Sequence, residues 1–348
     1  MLVRNVGPMT LLNFLKAASQ HGILVKDGRS LELMNKIDTI VFDKTGTLTL
    51  EQPQVCKIHR SSLLSENELL SYAAMAEYRQ THPVAQAILT AATERQLFLE
   101  MPQQAHYEVG YGIKVQLSDK LLRVGSDRFM QMEGINIPAN IQAIHEHCHS
   151  LGNSLVMVAI DDEFAGAIEL EASLRPETQK VVKQLQQQGL ALYIISGDQE
   201  GATRKLANQL GIQNYFANTL PKNKAQLIEK LQQEGKNVCF IGDGINDSIA
   251  LNQADVSVSL SGASTIATDT AQIVLMDANL ERLLDLLKIT QALEENMQTN
   301  LTVSIIPGVV GIGSVFLFHL GFMTSVVLYA LGLFTGVTNT IRPIHLSQ

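Results

Sequence analysis

The sequence predicts an α/β fold in which a parallel sheet carries an inserted α+β domain and is followed by a hairpin of two transmembrane helices. Short β-branched runs that stop at acidic or glycine turns alternate with helical stretches, which is typical of parallel sheets. A long segment between the first two of these strands has a pattern of its own. No Asp, Glu, Lys or Arg occurs from Asn296 to Ile341, enough for two spans of about 20 residues each.

Composition narrows the function before any motif is considered. The chain has 348 residues, 46% hydrophobic and 17% charged, with a net charge of −8. A large core is therefore expected, and the acidic balance argues against nucleic acid as a partner. Three cysteines without CxxC spacing favour a reducing compartment and no disulfide framework.

The sheet domain is expected over 23–50 and 171–290. Its clearest strands lie at 39–42, 192–195 and 238–241, and two helices at 176–188 and 222–234 end at glycines. Functional sites in parallel sheets lie outside the carboxyl ends of the strands. The loops that follow these three strands should therefore converge.

The segment 51–170 is too long for a loop and is predicted to be a domain inserted at two points. Its helices are expected at 66–80 and 82–95, and its strands at 107–117, 121–125, 155–160 and 164–170. A domain joined through two strands of chain can hinge as a unit. Residues 1–22 read as an extension of a membrane helix, and 296–341 as two membrane helices at 301–318 and 322–338, with a turn between them.

The loop that follows the first strand carries the clearest chemistry. Asp43 ends a strand and is followed by Lys-Thr-Gly-Thr-Leu-Thr, so its carboxylate could attack a phosphoryl group while backbone N–H groups hold the phosphoryl oxygens. Asp243 and Asp247 lie four residues apart on a glycine turn that opens a helix, which suits Mg²⁺ bound by oxygen. A strand-ending turn with a surface Asp and a plain Asx-rich turn are the structural alternatives.

Two further groups complete this set. A hydroxyl at Ser196 beside Gly197, and the ammonium of Lys224, could stabilise the negative charge spread over a transferring phosphoryl group. Taken alone, Lys224 would be a solvated lysine on a helix surface.

Together these motifs resemble those of heavy-metal (type IB) P-type ATPases, whose catalytic fold is that of haloacid dehalogenase-type phosphotransferases. Asp43–Thr49 is similar to the family's phosphorylation motif, 242–247 to its GDGxND motif and 196–198 to its [TS]GD motif. The resemblance implies phosphorylation of Asp43 by ATP with Mg²⁺, and a translocase that moves a heavy-metal cation. The implied catalytic residues are Asp43, Thr45, Ser196, Gly197, Lys224 and Asn246, and the implied Mg²⁺ ligands are Asp43, Thr45, Asp243 and Asp247.

Within the insert, Thr81-His82-Pro83 and Gly110-Tyr111-Gly112 resemble the His-Pro and GxG motifs of the same family. The resemblance implies a nucleotide site that consists of Glu77, His82, Gly110 and Gly112. It also implies a membrane protein, embedded in a lipid bilayer, with its catalytic domains in the cytosol.

Several departures from the family limit what is expected of this chain. No Thr-Gly-Glu of an actuator domain is present, the Cys-Pro-Cys motif would fall at or before Met1, and Ala172 stands where relatives have Asp. The last two helices show no obvious metal ligands, and Met297, Asn300, His319 and Met323 are expected to be structural. A heavy-metal cation is therefore expected as a partner only when further membrane helices are supplied.

Two alternatives stay open at this stage. One is a membrane-tethered phosphatase of the same fold, against which Thr45 speaks, because a hydroxyl cannot do the proton transfer that an Asp does at that position. The other is a non-transporting remnant or subunit that binds nucleotide.

Overall fold

The structure is a computed structural model that describes residues 2–100, 104–108, 112–242, 247–260, 270–318 and 322–340. Its helices are α1 (Leu2–Gln20), α2 (Arg29–Met34), α3 (Glu66–Glu77), α4 (Pro83–Glu94), α5 (Asp127–Met132), α6 (Ala139–Ser150), α7 (Thr178–Gln187), α8 (Glu200–Leu210), α9 (Pro221–Gln233), α10 (Ser248–Gln253), α11 (Arg282–Phe318) and α12 (Phe322–Thr340). Its strands are β1 (Ile23–Val25), β2 (Thr39–Asp43), β3 (Gln54–Arg60), β4 (Gln104–Glu108), β5 (Gly112–Leu117), β6 (Lys120–Gly125), β7 (Ser154–Ile160), β8 (Glu163–Glu171), β9 (Ala191–Ile195), β10 (Asn214–Phe216), β11 (Val238–Gly242), β12 (Val256–Leu260) and β13 (Ile273–Leu275).

The chain divides into two compact units. The first consists of Met1–Asp43, Pro176–Tyr193 and Leu220–Gln348, and the second of Lys44–Arg175 and Ile194–Thr219, so that the division passes through β9. The domain limits suggested by the sequence stay a prediction.

The predicted parallel sheet is confirmed. Its strands follow the order β1-β13-β12-β11-β2-β9-β10. β11 pairs parallel with both β2 and β12, β12 pairs parallel with β13, and the short edge strand β1 pairs antiparallel with β13. Every residue of β2, β11 and β12 is buried, as expected for strands covered on both faces. Ile241 pairs with Phe42, so the carboxyl ends of β2 and β11 meet at one edge of the sheet.

The second unit contains an antiparallel sheet in the order β3-β8-β7-β6-β5-β4. Residues of α3 and α4 such as Leu69, Leu70 and Ile88 pack in the core on one face, while Phe129 of α5 and Cys148 of α6 belong to a separate core cluster. The single strand predicted over 107–117 is wrong, because β4 and β5 are two strands that pair antiparallel, and residues 109–111 lie outside the described ones.

Four of the predicted helices are confirmed within a few residues as α3, α4, α7 and α9. The start of α3 is fixed by Ser65, whose hydroxyl accepts the backbone N–H of Glu68 while the Glu68 carboxylate accepts that of Ser65. The start of α4 is fixed by His82, whose Nδ1 accepts the backbone N–H of Ala85, with Pro83 as the first helical residue.

The uncharged segment forms two helices that pack against each other, α11 and α12, and the first begins well before the predicted 301–318. Their predicted turn at 319–321 lies outside the described residues. Among the described residues, no helix is both long enough and apolar enough to cross a membrane. The transmembrane hairpin is therefore not confirmed.

Candidate functional site

Asp43 lies where the sequence predicts it, as the last residue of β2. The strand Thr39–Asp43 is buried throughout, and Asp43 itself is only 6% exposed. A carboxylate held at that depth needs a compensating charge, since an unpaired buried ion is costly.

Lys224 supplies this charge. Its Nζ donates to Asp43 Oδ1 at 2.5 Å and to Asp247 Oδ1 at 2.5 Å, and all three side chains are buried. Burial lowers the pKa of Lys224, but the attraction of the two carboxylates outweighs it, so the pKa lies above its usual range. Lys224 therefore remains an ammonium, and the solvated helix lysine that it could have been is excluded.

The glycine at the end of β11 makes room for the second carboxylate. A Cβ added at Gly242 would lie 2.5 Å from Asp247 Oδ2 and 2.9 Å from a ring carbon of Phe240. Any larger residue would force either Asp247 or β11 to shift. The two remaining predicted residues of this loop, Asp243 and Asn246, lie outside the described residues.

The turn Lys44–Leu48 follows Asp43. Thr45 is extended (φ −79°, ψ 129°), and Gly46 has a φ of +75°, in the left-handed region that favours glycine. The Arg175 guanidinium donates to the Gly46 carbonyl at 2.7 Å. This hydrogen bond from a residue outside the turn stabilises its conformation. The Thr47 hydroxyl is buried without a hydrogen-bond partner among the described residues, so it is available to an incoming acceptor.

Ser196 and Gly197 follow β9, as predicted. Ser196 is 1% exposed, and its Oγ accepts the backbone N–H of Asp198 at 3.0 Å. The Asp198 carboxylate in turn accepts a hydrogen bond from the Lys44 ammonium. This ion pair joins the residue after Asp43 to the loop that follows β9, within the second unit.

Glu77 and His82 come together at the junction of α3 and α4. His82 Nε2 lies 3.3 Å from Glu77 Oε2, without the alignment of a hydrogen bond, and Glu77 Oε2 is buried with no hydrogen-bond partner in the described structure. Burial raises the pKa of Glu77 to about 7 and lowers that of His82. A buried acceptor without a donor marks a place for a ligand that brings one.

The packing of the fold requires a glycine at position 112, whether or not a ligand binds there. A Cβ there would lie 2.4 Å from the Phe129 ring and 2.7 Å from the Val124 carbonyl, so the packing of β5 against its neighbours excludes any side chain. Its contact with a nucleotide stays a prediction, and Gly110 lies outside the described residues.

Sequence reasoning gave no role to Lys44, Arg175 or the carboxylate of Asp198. Lys44 and Asp198 are separated by 154 positions, so no local pattern could pair them. A signal was available in one case, because a lysine directly after a buried strand-end aspartate needs an acidic partner of its own.

Comparison with known proteins identifies the family of this chain. A profile of the haloacid dehalogenase-like hydrolase family matches residues 37–255. A probable cation-transporting ATPase of Haemophilus influenzae is 34% identical over 308 residues, which is 88% of this chain and 42% of that protein. A copper-exporting P-type ATPase of Bacillus subtilis is 32% identical over 296 residues, 84% of this chain and 36% of that protein. The chain thus spans less than half the length of these relatives.

Solved structures give the same result. A zinc-transporting PIB-type ATPase in its E2.Pi state superposes with a TM-score of 0.87 at 28% identity, over 98% of this chain and 55% of that one. The catalytic domain of the CPx-ATPase CopB-B matches with a TM-score of 0.60 at 30% identity, over 79% of this chain and 98% of the domain. The chain belongs to the haloacid dehalogenase-like hydrolase family and, within it, represents a C-terminal portion of a heavy-metal P-type ATPase.

Proposed function

We propose that this chain is the catalytic portion of an enzyme that transports a heavy-metal cation at the expense of ATP. Asp43 accepts the γ-phosphoryl group. The observation that carries the proposal is the buried Lys224 ammonium, which holds the carboxylates of Asp43 and Asp247 at 2.5 Å each. The relatives named above are cation- and copper-transporting ATPases, which supports the cargo class but leaves the ion open.

The chemistry follows from the position of these groups. A carboxylate oxygen of Asp43 attacks the γ-phosphorus of ATP, the new P–O bond forms, and the bond to the leaving ADP oxygen breaks. Lys224 donates to Oδ1 of Asp43, and we propose the second carboxylate oxygen, Oδ2, as the nucleophile. The ammonium also offsets the negative charge that gathers on the transferring group.

Mg²⁺ fits the donors present. Two buried carboxylates, Asp43 at the end of β2 and Asp247 just before α10, both accept from Lys224, and oxygen ligands are those that Mg²⁺ prefers. We propose that these two hold the ion together with Thr45 and Asp243. When bound, Mg²⁺ neutralises charge on the phosphoryl oxygens.

We propose that ATP binds the second unit through Glu77 and His82, with Gly110 and Gly112. The unpartnered Glu77 Oε2 supports this, because the exocyclic amino group of adenine is a donor of the right kind. His82 is held by its Nδ1 bond to Ala85, which leaves Nε2 directed towards Glu77 and the ligand.

We propose that α11 and α12 lie in a lipid bilayer and that both of their outer ends face the cytosol. The support is their surface, which exposes large apolar side chains along both helices, for example Ile305, Val309, Ile312, Met323 and Phe334. A contiguous apolar surface of this extent is typical of a membrane or protein interface.

The test is phosphoenzyme formation from radiolabelled ATP and Mg²⁺ by the purified full chain. We expect an acid-stable, hydroxylamine-sensitive label that Asp43→Asn abolishes, while Asp38→Asn, exposed just before the start of the same strand, retains it. Label that persists in Asp43→Asn would contradict the assignment. A label that turns over rapidly in the isolated chain would favour the phosphatase alternative, which Thr45 makes the weaker one.

A further inference from the structure

Three metal-ligating side chains meet on the second unit, away from the residues considered so far. They are His59 of β3, Glu169 of β8 and Cys148 of α6. One nitrogen, one carboxylate oxygen and the sulfur all lie within 4.8 Å of one another. We propose that these three residues bind one Zn²⁺, or another divalent cation that accepts sulfur and nitrogen ligands.

The fold brings this trio together from three elements. In the antiparallel pair β3–β8, Lys57 faces Glu169 and His59 faces Ala167, so His59 and Glu169 project from the same face of the sheet. That face is covered by α6, where Cys148 packs with Ala167 in one core cluster. No short motif in the sequence could reveal a site whose ligands are spread from 59 to 169.

The spacing of the imidazole and the carboxylate is close to what a tetrahedral ion requires, and the sulfur lies within 4.8 Å of both. His59 Nε2 and Glu169 Oε2 are 2.8 Å apart. Zn²⁺ binds nitrogen and oxygen at about 2.0–2.1 Å and sulfur at about 2.3 Å, which puts neighbouring ligands roughly 3.3–3.6 Å apart. The imidazole and the carboxylate need to separate by only about half an ångström, which side-chain rotation provides.

The surroundings orient the carboxylate for this task. Asn153 Nδ2 donates to Glu169 Oε1 at 2.6 Å, so the other oxygen, Oε2, is the one directed at His59. Such outer contacts to a ligand carboxylate fix its orientation at metal sites. Cys148 and Glu169 are buried, and the His59 side chain is only 10% exposed, so the three donors lie largely out of water.

The chemical class of the ion follows from the donors. Thiolate and imidazole are poor ligands for Mg²⁺ and good ones for Zn²⁺, Co²⁺ and similar ions. The site is thus distinct in kind from the all-oxygen site proposed at Asp43 and does not depend on it. The competing explanation is a hydrogen-bonded trio that stabilises the sheet and binds no ion.

The experiment is a Co²⁺ titration of the purified full chain in detergent with excess Mg²⁺, read by absorption, followed by competition with Zn²⁺. We expect one Co²⁺ per chain with a thiolate-to-cobalt charge-transfer band, displaced by Zn²⁺. Cys148→Ser should remove the band. His59→Gln and Glu169→Gln should each lower the affinity by about tenfold or more.

Matched controls separate this site from others. Cys56→Ser removes an exposed thiol on the same strand as His59, Cys239→Ala removes the remaining thiol, and Asp43→Asn disables the proposed phosphorylation; all three should retain the band. Zn²⁺ should raise the thermal unfolding midpoint of the wild type and not that of Cys148→Ser. A cooperative unfolding transition of Cys148→Ser without metal shows that this variant folds. A band that survives Cys148→Ser, or a wild type that binds Co²⁺ without thiolate character, overturns the proposal.

Discussion

At the scale of single residues, burying the carboxyl group of Glu77 lowers the stability of the folded state. The residue is 4% exposed, burial raises the pKa of its carboxyl group to about 7, and one carboxyl oxygen has no hydrogen-bond partner in the described part of the chain. A core position chosen for stability alone would hold an apolar residue or a satisfied polar one. The buried oxygen without a hydrogen-bond partner supports a ligand-binding role for Glu77.

This cost predicts a pH-dependent effect of Glu77→Gln. Because the folded-state pKa is raised from 4.5 to about 7, the native protein is stabilised by the bound proton below pH 4.5 and loses that contribution as the pH rises towards 7. Gln stays neutral at every pH. The free energy of unfolding of the variant should therefore exceed that of the wild type by up to about 3 kcal/mol at pH 8, and by little at pH 4.5. Its affinity for ATP should fall.

The measurement is the thermal unfolding midpoint of both chains at pH 5 and pH 8, with ATP affinity measured in parallel. Glu94→Gln, an exposed change on α4, is the matched control and should shift neither quantity. Equal stability of the Glu77 variant and the wild type at pH 8 would show that Glu77 is not buried as an unpaired carboxyl group.

At the scale of secondary-structure elements, the carboxyl ends of β2 and β11 organise the proposed phosphorylation site. Phe42 and Ile241 pair across these parallel strands, so the next residues, Asp43 and Gly242, end them side by side. Helix α9 then brings Lys224 from its first turn to both carboxylates. The site is held by rigid elements, which is what accurate positioning of reacting groups needs.

Gly242→Ala tests this arrangement. The added methyl group would lie 2.5 Å from Asp247 Oδ2, so Asp247 must leave Lys224 or β11 must shift. We expect phosphoenzyme formation to slow by about tenfold or more, a loss of roughly 1.4 kcal/mol of transition-state stabilisation, with unchanged ATP affinity of the second unit. Gly308→Ala, where a methyl group meets nothing within 4 Å, is the control. Wild-type rates in Gly242→Ala would argue against a role for Asp247.

Elements with a strong apolar period could be predicted from the sequence, and others could not. The buried runs of β2 and β11 and the glycine-ended helices α7 and α9 were found for that reason. Strand β3 was missed because the consecutive exposed residues Cys56 and Lys57 interrupt the alternation of buried and exposed positions.

Some residues of the candidate site could likewise be predicted from local sequence, and others could not. Asp43 and Asp247 were recognisable from local motifs, and the structure brings them to Lys224. The pairing of Lys44 with Asp198 depends on contacts across the fold and could not be predicted from local sequence.

At the scale of the whole molecule, charge is distributed very unevenly. All of the Asp, Glu, Lys and Arg side chains precede Asn296, apart from Arg342 near the end of the chain. A polar group about halfway along α11 is satisfied by other helices: Asn300 donates to Thr10 of α1 and accepts from Asn339 of α12. Polar groups that pair between helices, under an apolar exterior, are the arrangement that a bilayer requires.

The proposed bilayer position predicts opposite effects of the same substitution in two places. Phe334 is 71% exposed on α12, and Leu63 is fully exposed on the second unit. If α12 lies in lipid, Phe334→Lys places a charge in hydrocarbon at a cost of about 2.5–3.5 kcal/mol, and membrane-inserted protein should fall several-fold. If α12 lay in water, the same change would remove an exposed ring and improve solubility, as Leu63→Lys should do in either case.

The assay is the fraction of each chain that stays in membranes after alkaline carbonate extraction. Recovery of the wild type in the soluble fraction without detergent, or an unaffected Phe334→Lys chain, would place these helices outside the bilayer and require another partner to cover their apolar surface.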